Sequence, residues 1–201
     1  MSSRVVLALL MVFSVSSWAE ERIKPATSIQ AHLDTCSFRM TDFYGGKHRI
    51  TERSVPHLFY YSKLINPKSK KTLEVNLVFR CISPASAEDF SRFSGGKLTD
   101  KGWVMELDSS APSDSEMHNT FYPLKGKGWE GAGISQDVTS GDEEGRTRSF
   151  NFCIPVNNSA LCGGGDVAYL KDLKGSSLKQ VIKMIETIEF MGGEAASPLS
   201  N

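Results

Sequence analysis

Four cysteines, Cys36, Cys81, Cys153 and Cys162, constrain this 201-residue chain more than any other feature. In an oxidising compartment they form two disulfides, and each bridge fixes the phase of the elements that carry it. The first nineteen positions predict such a compartment. Arg4 supplies a positive n-region, residues 5–15 an apolar h-region, and Ser17-Trp18-Ala19 the small-x-small site of signal peptidase, so cleavage is expected after Ala19. The residue after the cut is Glu20, which offers no lipid attachment site, and no later run approaches the roughly 20 apolar residues of a membrane span. Residues 1–19 are therefore read as a signal peptide, 20–191 as one periplasmic domain and 192–201 as a disordered tail.

Four cysteines allow three connectivities, and strand phase chooses among them. In residues 73–82, Leu73, Val75, Leu77 and Phe79 share one face, and Cys81 continues it. Cys36 is in phase with Phe38 and Met40, whereas Ser37 and Arg39 face away. Both sulfurs then point into the core. The expected pairs are Cys36–Cys81 between strands and Cys153–Cys162 as the clip of a later loop, worth roughly 4 and 3 kcal/mol in the chain-entropy account. A metal site is disfavoured, since the chain has no C-x-x-C and no histidine beside either pair.

The stretch 146–191 carries the clearest periodicities. Phe150, Phe152 and Ile154 alternate with Ser149, Asn151 and Cys153, which predicts a strand over 147–154 with one buried face. A second strand is expected at 167–170 and an amphipathic helix at 176–187. In that helix Leu178, Val181, Ile182 and Ile185 form the apolar stripe, Lys179, Gln180, Lys183 and Glu186 the wet side, and Ser176 or Ser177 the cap. Upstream, a flexible lead at 20–29 precedes strands at 32–40, 47–51, 57–64 and 73–82, with turns at Gly45-Gly46 and 66–70. Ser83-Pro84 reads as a helix start, Ala87, Phe90 and Phe93 as its buried side, and Gly95-Gly96 as its stop. Strands follow at 103–107, 118–124 and 131–139, separated by a polar loop at 108–117 and followed by an acidic turn at 140–145. The sum is an α+β domain. A mostly antiparallel sheet is packed by a C-terminal amphipathic helix and one shorter helix, and two disulfides staple it.

A mostly antiparallel sheet closed by a final amphipathic helix, with Val181-Ile182-Lys183-Met184-Ile185-Glu186-Thr187-Ile188-Glu189-Phe190 running into an apolar end, resembles the Mog1/PsbP-like α/β sandwich. The pieces Phe150-Asn151-Phe152-Cys153-Ile154 and Leu161-Cys162-Gly163 are similar to those of small periplasmic bacterial proteins, some of which are immunity proteins for secreted toxins. The likeness lies in pattern over about the last quarter of the chain. It implies a sandwich and permits an inhibitor, but it carries over no functional residue, because such families do not share one activity.

No complete catalytic motif is present. Ser176-x-x-Lys179 has the spacing of a serine and a lysine base, yet the S-D-N and K-T-G partners of that chemistry are missing, which favours a helix cap followed by a solvated lysine. Gly133-Ile134-Ser135-Gln136-Asp137 lacks the last glycine of a nucleophile elbow and lies in an expected strand. The histidines His32, His48, His57 and His118 lie on separate elements with no i, i+4 pair, so helix-borne zinc ligation is excluded and no metal or cofactor is expected. Lys125-Gly126-Lys127-Gly128 and Gly163-Gly164-Gly165 lack phosphate-loop spacing and read as turns that need positive φ. With 23 basic and 23 acidic residues the chain has no excess for nucleic acid or an anionic membrane.

Two regions suit a partner surface. One is the polar loop with Asp108, Asp114 and Glu116 next to Trp103; the other is the acidic tip Asp142-Glu143-Glu144 assigned to the neighbourhood of Trp129. Loops on a rigid sheet commonly hold such contacts, with an aromatic anchor. Solvated turns and core tryptophans are the plain alternative. The reading is an exported non-enzymatic binding protein, an immunity-type inhibitor of a toxin or envelope enzyme; a periplasmic hydrolase and a small-ligand carrier are the competing classes. Protein recovered from the periplasm is expected to begin at Glu20 and to show no reactive thiol under denaturing titration. Four titratable sulfhydryls, or an intact leader, would remove the basis for the export assignment.

Overall fold

The structure is a computed structural model that describes residues 26–52, 54–63, 73–106 and 118–192. Its strands are β1 (Thr27–Leu33), β2 (Cys36–Asp42), β3 (Lys47–Thr51), β4 (His57–Lys63), β5 (Glu74–Ile82), β6 (Gly96–Thr99), β7 (Gly102–Met105), β8 (Thr120–Gly126), β9 (Trp129–Val138), β10 (Thr147–Val156), β11 (Ser159–Tyr169) and β12 (Glu189–Phe190). The helices are α1 (Ala87–Ser94) and α2 (Leu178–Ile185). A seven-stranded sheet, order β3-β4-β5-β11-β10-β9-β8, is antiparallel throughout. A smaller sheet, β1-β2-β12, and α2 pack on one face of it; α1 and the β6-β7 hairpin pack on the other.

Alternation explains the inner core. Phe150, Phe152 and Ile154 of β10, Val75, Leu77 and Phe79 of β5, and Phe38 and Met40 of β2 all meet between the two sheets and are at most 1% exposed. Phe152 is paired with Gly133 on one side and Gly163 on the other, and a Cβ on Gly163 would stand 2.6 Å from the Val78 carbonyl and 3.0 Å from the Phe152 ring. These glycines occur where rings lie flat against neighbouring backbone. Gly163-Gly164-Gly165 is thus strand, and its glycines serve close approach instead of the turn with positive φ that the sequence predicts.

Both expected disulfides are present. Cys36–Cys81 joins the small sheet to the large one, and Cys153–Cys162 joins directly opposed residues of β10 and β11. The second bridge is therefore a cross-strand staple and not a loop clip, because β11 begins at Ser159 and the connection is only Asn157-Asn158, with Asn157 at φ 52°. Cys153 lies on the opposite face to Phe152 and is also buried, so β10 is covered on both sides, not one as the alternation predicts.

Other boundaries shift for local reasons. The single strand expected at 32–40 is a hairpin, since Asp34 takes φ 54° and turns the chain; the lead at 27–29, expected to be flexible, belongs to β1. Helix α1 starts after Ser86, not Ser83. Ser86 Oγ accepts from the Asp89 N–H while the Asp89 carboxylate accepts from the Ser86 N–H, a reciprocal cap that Ser83-Pro84 cannot form. Gly95 ends the helix at φ 60°, as its position predicts, while Gly96 opens β6. In α2 the buried residues are Val181, Met184 and Ile185, so the stripe is rotated toward Met184, and Ile182 is only partly covered. The connections at 64–72 and 107–117, including the expected turn at 66–70, lie outside the described residues, as do the leader and the tail from 193.

One buried carboxylate organises the corner between the two sheets. Asp42, 1% exposed, accepts from the Tyr60 hydroxyl at 2.8 Å, the Tyr44 N–H at 2.8 Å and the Gly46 N–H at 2.7 Å. Burial, with the Asp42 hydrogen bond second, raises the Tyr60 phenol above its ordinary value. A raised phenol pKa stabilises the fold below pH ~10, where the unfolded tyrosine is still neutral, and that contribution is lost as pH climbs further. Asp42→Ala strands three donors and is expected to lower unfolding free energy by about 3 kcal/mol or more, against about 1.5 kcal/mol for Tyr60→Phe. The Tyr60→Phe variant should also lose less stability than the wild type above pH ~10 in urea titrations. Equal damage from both substitutions would show that the phenol, not the turn, is the essential member.

Candidate functional site

The regions flagged by sequence are scattered by the fold. Asp108, Asp114 and Glu116 lie outside the described residues. Trp103 is half-buried, its ring 5.4 Å from Phe90 beneath α1. Trp129 is 5% exposed and donates its indole N–H to the Ile188 carbonyl at 2.7 Å, so it pins the C-terminal segment and is not a surface anchor. It also opens β9 whereas Asp142-Glu143-Glu144 follows the far end, roughly 30 Å along the strand. The tip itself is exposed. Asp142 caps the 3-10 turn Glu143–Gly145, and Lys171 bridges Glu143 and Glu144.

The serine candidates are occupied or enclosed. Ser176 Oγ accepts from the Leu178 N–H, and the Ser177 hydroxyl donates to the Val167 carbonyl at 2.9 Å, so both belong to the start of α2. Ser135 stands on the inner face of β9 and is 0% exposed, with no hydrogen-bond partner for its hydroxyl among the described residues. Two residues on, Asp137 receives a bidentate pair from Arg148 at 2.6 and 3.0 Å, and exposed His118 approaches the same carboxylate at 3.4 Å. The Asp137 pair holds Arg148 charged, its pKa raised first by that hydrogen bond. Serine, histidine and aspartate thus share a neighbourhood, but an enclosed hydroxyl cannot meet a substrate. Among the described residues no three of His, Cys, Asp and Glu gather to hold a metal ion.

What the fold does assemble lies on the outer face of the large sheet. Helix α1 seats Phe90 on the Cys153–Cys162 bridge and covers β9, β10 and β11 at one end only. Beyond it, β3, β4 and β5 turn Arg49, His57, Phe59, Tyr61, Val78 and Arg80 outward, none of them fully buried. Phe59 and Tyr61 stack at 6.3 Å and 9°, the His57 ring lies 6.2 Å from Phe59, and the Arg49 guanidinium sits 5.2 Å over the Phe59 ring. Cross-strand order on one face holds these groups together: Arg49 opposes Phe59, and His57 opposes Arg80.

At the margin of α1 this platform drops into a cleft of about 250 Å³ lined by His57, Val78, Arg80, Phe93, Asn151 and Gly164, among others. The Arg80 guanidinium lies 3.8 Å from the Phe93 centroid. Burial lowers its pKa, Arg92 lowers it further, and Asp89 opposes both. His57 Nδ1 lies 2.9 Å from the Val55 carbonyl, which makes Nδ1–H the donor and leaves Nε2 as the acceptor in the neutral ring. The guanidinium on its aromatic ring and the side-chain amide can bind an anion.

No protein-family model matches the chain, and no curated protein matches it. Arg80 was legible as an outward residue, since it alternates with the buried Phe79 and Cys81, but a lone arginine on a strand gives no sign of what it will stack on. Phe93 shares the face of Phe90, as the sequence predicts, and packs partly buried against the same cluster while its ring also lines the cleft. Ser135→Ala removes an unpartnered hydroxyl and is expected to change stability by no more than about 0.5 kcal/mol or to raise it by about 1 kcal/mol in denaturant unfolding. A loss above that would show that the hydroxyl has a partner in solution.

Proposed function

We propose that this chain is a non-enzymatic binding protein, exported and held by its disulfides, that docks a partner protein on the uncovered half of the large sheet's outer face. In its concrete form it is an immunity-type inhibitor that occludes a secreted toxin or an envelope enzyme. The observation that carries the reading is the row Arg49, Phe59, Tyr61 and His57, in which rings and a guanidinium are already stacked on a rigid sheet. Arginine and tyrosine supply much of the energy at protein interfaces, and side chains fixed before docking lose less entropy on contact. The near-balance of 23 basic and 23 acidic residues suits a local, shape-dependent contact more than long-range attraction. A carrier would need an enclosed apolar cavity, whereas this cleft is open and lined by an arginine.

The test is capture of a stoichiometric partner from bacterial envelope extracts by the immobilised mature protein. The wild type and a Glu143→Gln/Glu144→Gln variant are expected to retain it equally, while Arg49→Glu/Tyr61→Ala should weaken binding by about 30-fold or more, the size of a hot-spot loss. Capture that ignores Arg49 and Tyr61, or recovery of no partner at native abundance, would sink the reading.

A further inference from the structure

We propose, resting on that docking reading, that the Arg80–Phe93 cleft is a carboxylate socket that takes one Asp or Glu side chain of the partner protein. Arg80 projects outward from β5, between His57 on β4 and Cys162 on β11. Phe93 covers one face of its guanidinium at 3.8 Å, so the donors along the edge of the fork are left for a ligand. Among the described residues the Arg80 side chain makes no hydrogen bond and no ion pair, unlike those of Arg39 and Arg148, which each donate twice to a carboxylate. The one carboxylate that influences it, Asp89, is already engaged at Oδ2 by the Ser86 N–H at 2.8 Å and the Ser86 hydroxyl at 2.7 Å. A half-buried cation held this way is relieved by an anion from outside.

The second donor is Asn151. Its side-chain amide has no hydrogen bond among the described residues and lies over Gly164, where an added Cβ would stand 2.1 Å from Asn151 Oδ1. Glycine at 164 leaves room for that amide and for the Phe150 carbonyl, which the same added Cβ would approach to 2.7 Å. No aspartate or glutamate lines the cleft to repel an anion, and Val78 and Phe93 give apolar walls for the methylene of the incoming side chain. Its volume of about 250 Å³ is below the 300–1,000 Å³ of small-molecule sites and suits a single side chain. One guanidinium and one neutral amide match a monoanion.

Side-chain N–H resonances of Arg80 and Asn151 in the isotopically labelled mature protein read the socket directly. Titration with acetyl-Gly-Glu-Gly-amide is expected to shift both to saturation, with acetyl-Gly-Gln-Gly-amide at least about tenfold weaker, as loss of a charge-assisted pair requires. Arg80→Gln should abolish the response. Arg80→Lys keeps the charge without the fork and should weaken it about tenfold, and Asn151→Ala should weaken it by removing the second donor. Equal shifts from the glutamine peptide, an unchanged response in Arg80→Gln or Arg80→Lys, or saturation by inorganic phosphate at lower concentration than the glutamate peptide would each overturn the assignment. If peptide binding fails while capture of the partner still depends on Arg49 and Tyr61, the socket falls and the docking face stands. Capture independent of those two residues removes the docking face itself.

Discussion

The fold depends on a continuous run of aromatic contacts between the two sheets. Tyr122 meets Phe150 at 5.8 Å, Phe150 stacks with Phe152 at 6.3 Å, Phe152 meets Phe79 edge-on at 5.6 Å, and Phe79 meets Phe38 at 6.1 Å. That run crosses from β8 to β2, so it ties one flank of the large sheet to the small sheet on top. Rings of this size dominate core energetics because each removes a large apolar area from water. Cys36 and Cys81 stand two residues beyond Phe38 and Phe79 on the same faces, so the covalent bridge extends the aromatic contact instead of forming a separate tie.

Burial of β10 and β11 on both faces determines where a site can form. Phe90 of α1 sits on the cross-strand disulfide, and one turn later Phe93 reaches the helix margin with the same phase. Helix α1 is only eight residues long and cannot cover the whole outer face. The cleft lies at the boundary between covered and uncovered sheet, where an aromatic side chain from the helix overlaps a cation from the strand.

Much of the architecture was legible because period-two alternation is strong in this chain. The phases of Cys36 with Phe38 and of Cys81 with Phe79 led to the bridge that the structure contains. Failures cluster where a residue's role depends on something across the sheet. The run Gly163-Gly164-Gly165 carries no side-chain signal, so its pairing with Phe152, Asn151 and Phe150 was invisible, and β11 was shortened to its last residues. Asp34 turns the chain with an ordinary aspartate, and the cap at Ser86 competes with an equally plausible Ser83-Pro84. The site was less legible than the fold. Arg49, Phe59, Tyr61 and Arg80 come from three strands, and only lateral pairing brings them onto one face.

Overall charge balance is a poor guide to a local site for the same reason. A chain with equal numbers of acids and bases can still expose an arginine without a counter-ion, provided the acids are engaged elsewhere. Here Glu189 is held by Arg39, which keeps its carboxyl below the usual range; Asp137 is held by Arg148; and Asp89 is kept low first by the Ser86 hydroxyl. Asp42 is enclosed with Tyr60. Each of these acids is committed to a structural partner, and Arg80 is left with a ring on one side and open space on the other. Leaving a desolvated cation unpaired lowers stability, and the two-sided packing and the staple beside it on β11 supply the margin that makes such a group tolerable.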